Sequence, residues 1–147
     1  MELFSRNHLL GTIEAGSQDD VFRALAARAV ELGAARSADD IVADYHEREA
    51  EASTGFGGGV AIPHSKTDNV SDAILLFARL SRPVEWHALD NAPVSTVISI
   101  LAPTSGANVH LQLLAKLARR LMHEDFVEVL KSGTDDEAYR AIEEAIS

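Results

Sequence analysis

Apolar residues recur at helical spacing in the first third of the chain. Val21, Leu25, Ala29 and Leu32 share one face behind Ser17-Gln18-Asp19-Asp20, where the serine can cap a helix and the aspartates favour its positive end. Gly33 supplies a stop. Ser37-Ala38-Asp39-Asp40 repeats the start signal for a second helix with Ile41, Val42 and Tyr45 on its apolar side and Arg48 near its end. The two starts are alike because capping chemistry is general, so they make no internal repeat.

The pattern then changes to that of strands. Val60-Ala61-Ile62 is a short apolar run that predicts a buried strand, and a polar turn from Lys66 to Asp72 leads into Ala73 to Leu80, almost continuously apolar. Its length and flanks predict a second buried strand. Arg82 to Trp86 reads as a connection with one short extended piece, Leu89 to Pro93 as a turn, and Val94 to Leu101 as a strand, since it is rich in β-branched residues. Pro103-Thr104-Ser105-Gly106 ends it. A third helix follows, with Asn108 as cap, His110 in its first turn, and Leu111, Leu114, Leu117 and Leu121 as its buried stripe. Lys116, Arg119 and Arg120 fall on its polar face. A short helix around Asp125 to Lys131 and a last one opened by the capping box Thr134-Asp135-Asp136-Glu137 complete the chain. The loose alternation predicts an α/β (α+β) fold, a single mixed β-sheet of about five strands flanked by helices.

Composition narrows the function classes. A chain of 147 residues predicts a single domain, 1–147, with a substantial core. There is no cysteine, hence no disulfide framework and no thiolate metal site. The start, MELFSRNHLL, lacks a secretory pattern, and no apolar stretch is long enough to span a bilayer, so the expectation is a soluble, cytoplasmic protein with no direct membrane insertion. A formal net charge of −10 argues against nucleic acid as a partner and favours encounter with basic surfaces.

The candidate chemistry lies in Ser53 to Lys66, STGFGGGVAIPHSK. Gly55, Gly57, Gly58 and Gly59 give the backbone access to positive φ and remove Cβ atoms, so a partner's backbone or a phosphate could approach closely. Pro63 fixes its own φ and biases Ile62 toward an extended conformation. His64 therefore sits just past a rigid strand end beside a glycine-lined opening, where a nucleophile or general base would be placed.

The string STGFGGGVAIPH, with Arg48-Glu49 before it and His110-Leu111-Gln112-Leu113-Leu114-Ala115-Lys116-Leu117-Ala118 far behind, resembles the enzyme IIA proteins of the bacterial phosphotransferase system. It looks like the fructose/mannitol branch, which includes the nitrogen-regulatory IIA proteins. The resemblance covers nearly the whole chain and keeps order and approximate spacing. It departs at Ser65, where many relatives have glycine or another small residue.

Under that resemblance His64 is the phosphoryl acceptor, since a neutral imidazole nitrogen is a competent nucleophile near pH 7. A transferring phosphoryl group spreads negative charge over its equatorial oxygens and needs positioned donors. His110 could add a ring N–H to the free amides of a helix N-terminus, or could simply face solvent. Arg48 offers a planar fork, or pairs with Glu47 or Glu49 on the surface. Thr54 and Ser65 could donate hydroxyl hydrogen bonds to the substrate group, or serve ordinary turns. His8, His46, His87 and His123 match no motif and are read as solvated. No ligand spacing supports a metal, and no cofactor is expected. The glycines lack the P-loop spacing.

Two functional readings follow from the resemblance. In the first the chain is a phosphotransferase component that accepts phosphate from the histidine phosphocarrier protein and passes it to a IIB component of a fructose- or mannitol-like sugar permease. In the second it is a nitrogen-regulatory IIA-type signalling protein whose phosphorylation state controls binding to regulatory protein targets. Phe56 and Val109 are candidates for an apolar rim that would receive partners.

Overall fold

Burial on both faces explains the long apolar runs. A computed structural model describes residues 1–147 apart from Ala107, and its centre is a six-stranded mixed sheet. In chain order the elements are β1 (Leu9–Ile13), α1 (Gln18–Glu31), α2 (Ala38–Glu51), β2 (Gly55–Gly57), β3 (Val60–Ala61), β4 (His64–Lys66), β5 (Ile74–Val84), β6 (Val94–Ala102), α3 (Ala107–Arg120), α4 (Glu124–Ser132) and α5 (Asp135–Ile146). The sheet runs β1-β5-β6-β3-β2, with β4 also paired to β6. β5 is antiparallel to β6 and β2 to β3, whereas β1 lies parallel to β5, and β3 and β4 lie parallel to β6.

Helices cover the sheet on both sides. On β5, Ile74, Leu76, Ala78 and Leu80 pack with Val21, Phe22, Leu25, Ile41 and Tyr45 of α1 and α2. The alternate residues Leu75 and Phe77 pack with Leu113, Leu117, Phe126, Leu130 and Ile142 of α3, α4 and α5. Period-two alternation thus serves two cores, and the stretch of β5 from Ile74 to Ala78 is apolar and buried on both faces. The result is a three-layer α/β/α arrangement.

The capping serines stand where the sequence puts them. The Ser17 hydroxyl accepts from the Asp20 amide at 3.1 Å, that of Ser37 from the Asp40 amide at 3.3 Å, and Thr134 and Glu137 form a reciprocal capping box. Gly33 ends the first helix at φ +81°, in the left-handed region.

Four local expectations are corrected. β5 does not stop at Leu80 but continues to Val84, because Pro83 falls within a register shift where the antiparallel ladder is already broken. The strand expected over Val60 to Ile62 forms as β3 but ends at Ala61, and His64, expected just past a strand end, instead opens a further strand, β4, in line with β3 along β6. Asn108 is not a cap, since α3 starts from Gly106 after the short 3-10 turn Thr104–Gly106. Leu111 leaves the buried stripe and is 67% exposed, its place taken by Leu113.

The glycine cluster also has a different purpose from the one expected. Gly57, Gly58 and Gly59 all have positive φ and turn β2 back into β3. Gly55 is needed because a Cβ there would meet Ala88 Cβ at 2.5 Å. The cluster makes a tight reversal and a close layer contact, and its open side faces Asp90, Met122 and Val127 rather than His64.

Candidate functional site

His64 opens β4, and its backbone is fixed by parallel pairing to Ile100 of the central strand β6. The Pro63 carbonyl accepts from the Ile100 amide, so the proline lies at the start of that pairing without supplying a donor. The imidazole stands at one wall of a cleft of about 480 Å³ lined by residues of α2, β4 and the first turns of α3.

Both ring nitrogens of His64 have partners, and the partners define the tautomer. Nδ1 lies 2.7 Å from the Ile62 carbonyl oxygen, which can only accept, so Nδ1 carries the proton. Nε2 lies 3.2 Å from Arg48 Nε, which can only donate, so Nε2 presents its lone pair. Burial is the main cause that lowers the His64 pKa, the Ile62 hydrogen bond opposes it, and the Arg48 charge adds to the lowering. The ring is therefore neutral near pH 7, with its nucleophilic nitrogen turned toward a guanidinium.

Arg48 comes from the last turn of α2, and its Nη1 donates to the Ala52 carbonyl at 2.9 Å, which holds the side chain against the helix end. The alternative pairing with Glu49 does not form. Glu49 instead takes the Thr54 amide at 2.8 Å and the Thr54 hydroxyl at 2.6 Å. Thr54 Oγ1 in turn accepts from the Trp86 indole N–H at 3.1 Å. Thr54 therefore lies outside the cleft with its hydroxyl committed, which departs from the substrate-binding place expected for it. Ser65 follows His64 in β4, is buried, and does line the cleft.

His110 forms the opposite wall. Its ring centroid is 5.2 Å from that of His64, with the planes inclined at 47°. The residue is 5% exposed and its Nε2 is buried without a hydrogen-bond partner among the described residues. Burial first, and then the His64, Lys66 and Arg48 charges, push its pKa down to about 4. A neutral histidine has one N–H to give and one lone pair, and such a buried orphan costs roughly 1–3 kcal/mol. It lies in the first turn of α3, where Gly106 provides no capping side chain.

The rim holds residues that sequence reasoning passed over. Asp44, Glu47 and Glu51 line the cleft from α2 and Lys66 from β4, while Leu111 and Leu114 line it from α3. The i, i+3, i+7 spacing of the three acids was the available signal for one shared helix face. Val109, next to His110 in sequence, is 45% exposed but is not among the residues lining the cleft, and Phe56 belongs to the other cavity, beside the glycine turn. His8 is not solvated but buried, with Nδ1 donating to the Leu75 carbonyl, and His46 Nε2 donates to Asp19 at 2.7 Å. Among the described residues no three His, Cys, Asp or Glu side chains are grouped to hold a metal ion. None of their helices is long and apolar enough to cross a membrane.

Comparison with known proteins places the chain in a wider set. Residues 2–145 match the family model described as phosphoenolpyruvate-dependent sugar phosphotransferase system, EIIA 2. The fructose-specific EIIA component of the PTS system of Haloferax volcanii is 43% identical over 102 residues, which span 69% of this chain and 66% of that one. A nitrogen regulatory protein of Bradyrhizobium diazoefficiens is 32% identical over 141 residues, 96% of this chain and 92% of that one. Among solved structures, the nitrogen regulatory protein IIA-Ntr from Neisseria meningitidis superposes with a TM-score of 0.87 at 29% identity, over 95% of this chain and 96% of that chain.

Proposed function

Because the chain belongs to the EIIA 2 family of the phosphoenolpyruvate-dependent sugar phosphotransferase system, we propose that it is a phosphoryl carrier whose acceptor atom is Nε2 of His64. The observation that carries this reading is the pair of opposed hydrogen bonds on one imidazole, a carbonyl holding the proton on Nδ1 and a guanidinium facing the lone pair of Nε2.

The transfer balances without a cofactor. The donor's P–N bond breaks and its electron pair returns to the donor ring, while the Nε2 lone pair of His64 forms the new P–N bond. The Nδ1 proton stays on the ring, held by the Ile62 carbonyl. That proton matters for the second step, because an Nδ1-protonated ring leaves as neutral imidazole when the phosphoryl group moves on. Arg48 transfers its hydrogen bond from the lone pair to the equatorial oxygens, and His110 Nε2 gains the partner it lacks by donating to the same oxygens from its neutral form. Ser65 adds a hydroxyl from the cleft floor.

The donor is a protein. Asp44, Glu47 and Glu51 at the rim, on a chain of net charge −10, repel free phosphate and small polyanions and attract a basic surface. Exposed Leu111 and Val109 give such a partner apolar contact. On this reading the donor is the histidine phosphocarrier protein, the acceptor is a IIB component serving uptake of a fructose-like sugar, and the compartment is the cytoplasm. A regulatory role is the second reading. It is favoured by the nitrogen regulatory relative, whose match spans 96% of this chain.

Incubation with phosphoenolpyruvate, enzyme I and the phosphocarrier protein, followed by intact mass measurement, tests the reading. A single acid-labile phosphoryl group that is absent from His64→Ala is expected. No adduct, with the donors active on another IIA protein, would overturn it. Addition of fructose-type IIB proteins then separates transport from regulation by whether the label moves on.

A further inference from the structure

The polar groups behind His64 form a closed ring. Thr54 is bound to Glu49 twice, through its amide at 2.8 Å and its hydroxyl at 2.6 Å. The Thr54 carbonyl accepts from the Ile62 amide at 2.9 Å, and the Ile62 carbonyl accepts from His64 Nδ1 at 2.7 Å. His64 Nε2 accepts from Arg48, which is covalently next to Glu49 on α2. Tracing Arg48, Glu49, Thr54, Ile62 and His64 therefore returns to Arg48. Trp86, 1% exposed, donates to Thr54 Oγ1 from outside the ring and leaves that hydroxyl one direction in which to give its own proton.

We propose that Glu49 and Thr54 are positioning residues that act through this ring, setting at once which nitrogen of His64 carries the proton and how Arg48 meets the other. The reasoning is geometric. α2 ends at Glu51 and β2 begins at Gly55, so the segment joining them is short, and the Glu49–Thr54 pair fixes the helix end against it. The same residue, Thr54, holds Ile62 through its backbone. Ile62 and Arg48 are the two partners of the imidazole, so one side-chain clasp governs both. Without it the Ile62 carbonyl and the guanidinium would move independently, and the ring would sample the opposite tautomer. Trp86 makes the clasp directional, because an indole nitrogen can only donate and so forces Thr54 to donate to Glu49. A bidentate contact to a carboxylate cannot be reproduced by an amide, since Glu49→Gln has only one accepting oxygen for two donors.

The inference rests on the carrier reading for its functional meaning, yet its first readout does not. Nitrogen-15 chemical shifts of His64 in the unphosphorylated protein report the tautomer directly. Wild type should show a single Nδ1–H form. Thr54→Val and Glu49→Gln should show a mixture of tautomers, while Thr54→Ser, which keeps the hydroxyl, should restore the wild-type spectrum. Transfer from the phosphocarrier protein should slow by about 10-fold in the first two and recover in the third, as misplacement of a reacting group by a fraction of an ångström implies. Ile142→Val, in α5, serves as a variant that lowers stability while leaving every hydrogen-bonding group of the ring in place. It should leave both readouts unchanged. A wild-type tautomer in folded Thr54→Val and Glu49→Gln would overturn the inference. So would a shift of equal size in Ile142→Val. If wild type takes no phosphoryl group, the carrier reading falls, and the tautomer measurement still decides the clasp.

Discussion

The two walls of the cleft are built on opposite terms. On the α2–β4 wall Arg48, Glu49, Thr54, Ile62 and His64 are hydrogen-bonded into one ring, with both nitrogens of His64 partnered. On the α3 wall His110 is buried with Nε2 unpaired, the helix N-terminus has no capping side chain, and Leu111 is exposed. One wall fixes the orientation of a nucleophile before anything arrives. The other is incomplete until an anion and a partner surface arrive. A carrier needs this asymmetry, because a site that bound the phosphoryl group equally well from both sides would deepen the intermediate and raise the barrier to passing it on.

The largest effect short of losing His64 itself is expected on the incomplete wall. His110→Leu should slow phosphoryl transfer by about 100-fold, as loss of one aimed donor does, and should also raise stability by about 1 kcal/mol because a buried unpaired nitrogen disappears. Single-turnover transfer and urea unfolding measure the two changes, and a destabilised protein would show that His110 is structural. Arg48→Ala should slow transfer by about 10- to 100-fold with the fold intact, and Arg48→Lys should recover only part, since a point charge cannot replace a fork. Equal activity of all three forms would remove Arg48 from the site.

Acid should distinguish the walls by thermodynamics. His110 titrates near about 4 in the folded chain and at about 6.5 when unfolded, so on acidification the unfolded chain takes up the proton first. Stability is complete above that unfolded value and declines as pH falls from about 6.5 toward about 4, with a slope of up to ~1.4 kcal/mol per pH unit from this residue. The lowered pKa of His64 acts in the same direction. Urea unfolding across that range should therefore show a shallower slope in His110→Leu than in wild type, and an unchanged slope would contradict the buried neutral state of His110.

The smallest effect on chemistry is expected away from both walls. Gly58→Ala places a Cβ in open space at φ +66° and should cost about 1 kcal/mol in backbone strain while leaving transfer unchanged. A large loss of transfer would return the glycine cluster to the site.

That last contrast shows where the sequence was legible. Caps, apolar faces and the two long strands are local signals, so Ser17, Ser37, Thr134 and the β5 and β6 runs could be read directly. His64, Arg48, His110 and Ser65 do meet in one cleft, and motif order carried that expectation. Thr54 lies behind His64 with its hydroxyl committed to Glu49 and Trp86, which the chain's local pattern does not reveal, whereas the glycines were misplaced for another reason. Proximity in sequence to His64 suggested proximity in space, but β2 and β3 form a hairpin that carries the glycines to the far side of the sheet edge. Glu49 was legible only as a neighbour of Arg48, because its partner depends on how α2 ends against β2. Leu111 was counted as core by its type, whereas the N-terminal turns of α3 overhang the cleft and leave it exposed.

The central claim, a neutral His64 that reacts through Nε2, is tested most directly by nitrogen–phosphorus coupling in the phosphorylated protein labelled with nitrogen-15 histidine. Coupling to Nε2 of His64, with the proton retained on Nδ1, is the expected result. Coupling to Nδ1, or to a nitrogen of His110, would contradict the account, because the Ile62 carbonyl could not then be holding the proton that makes the opposite nitrogen the acceptor.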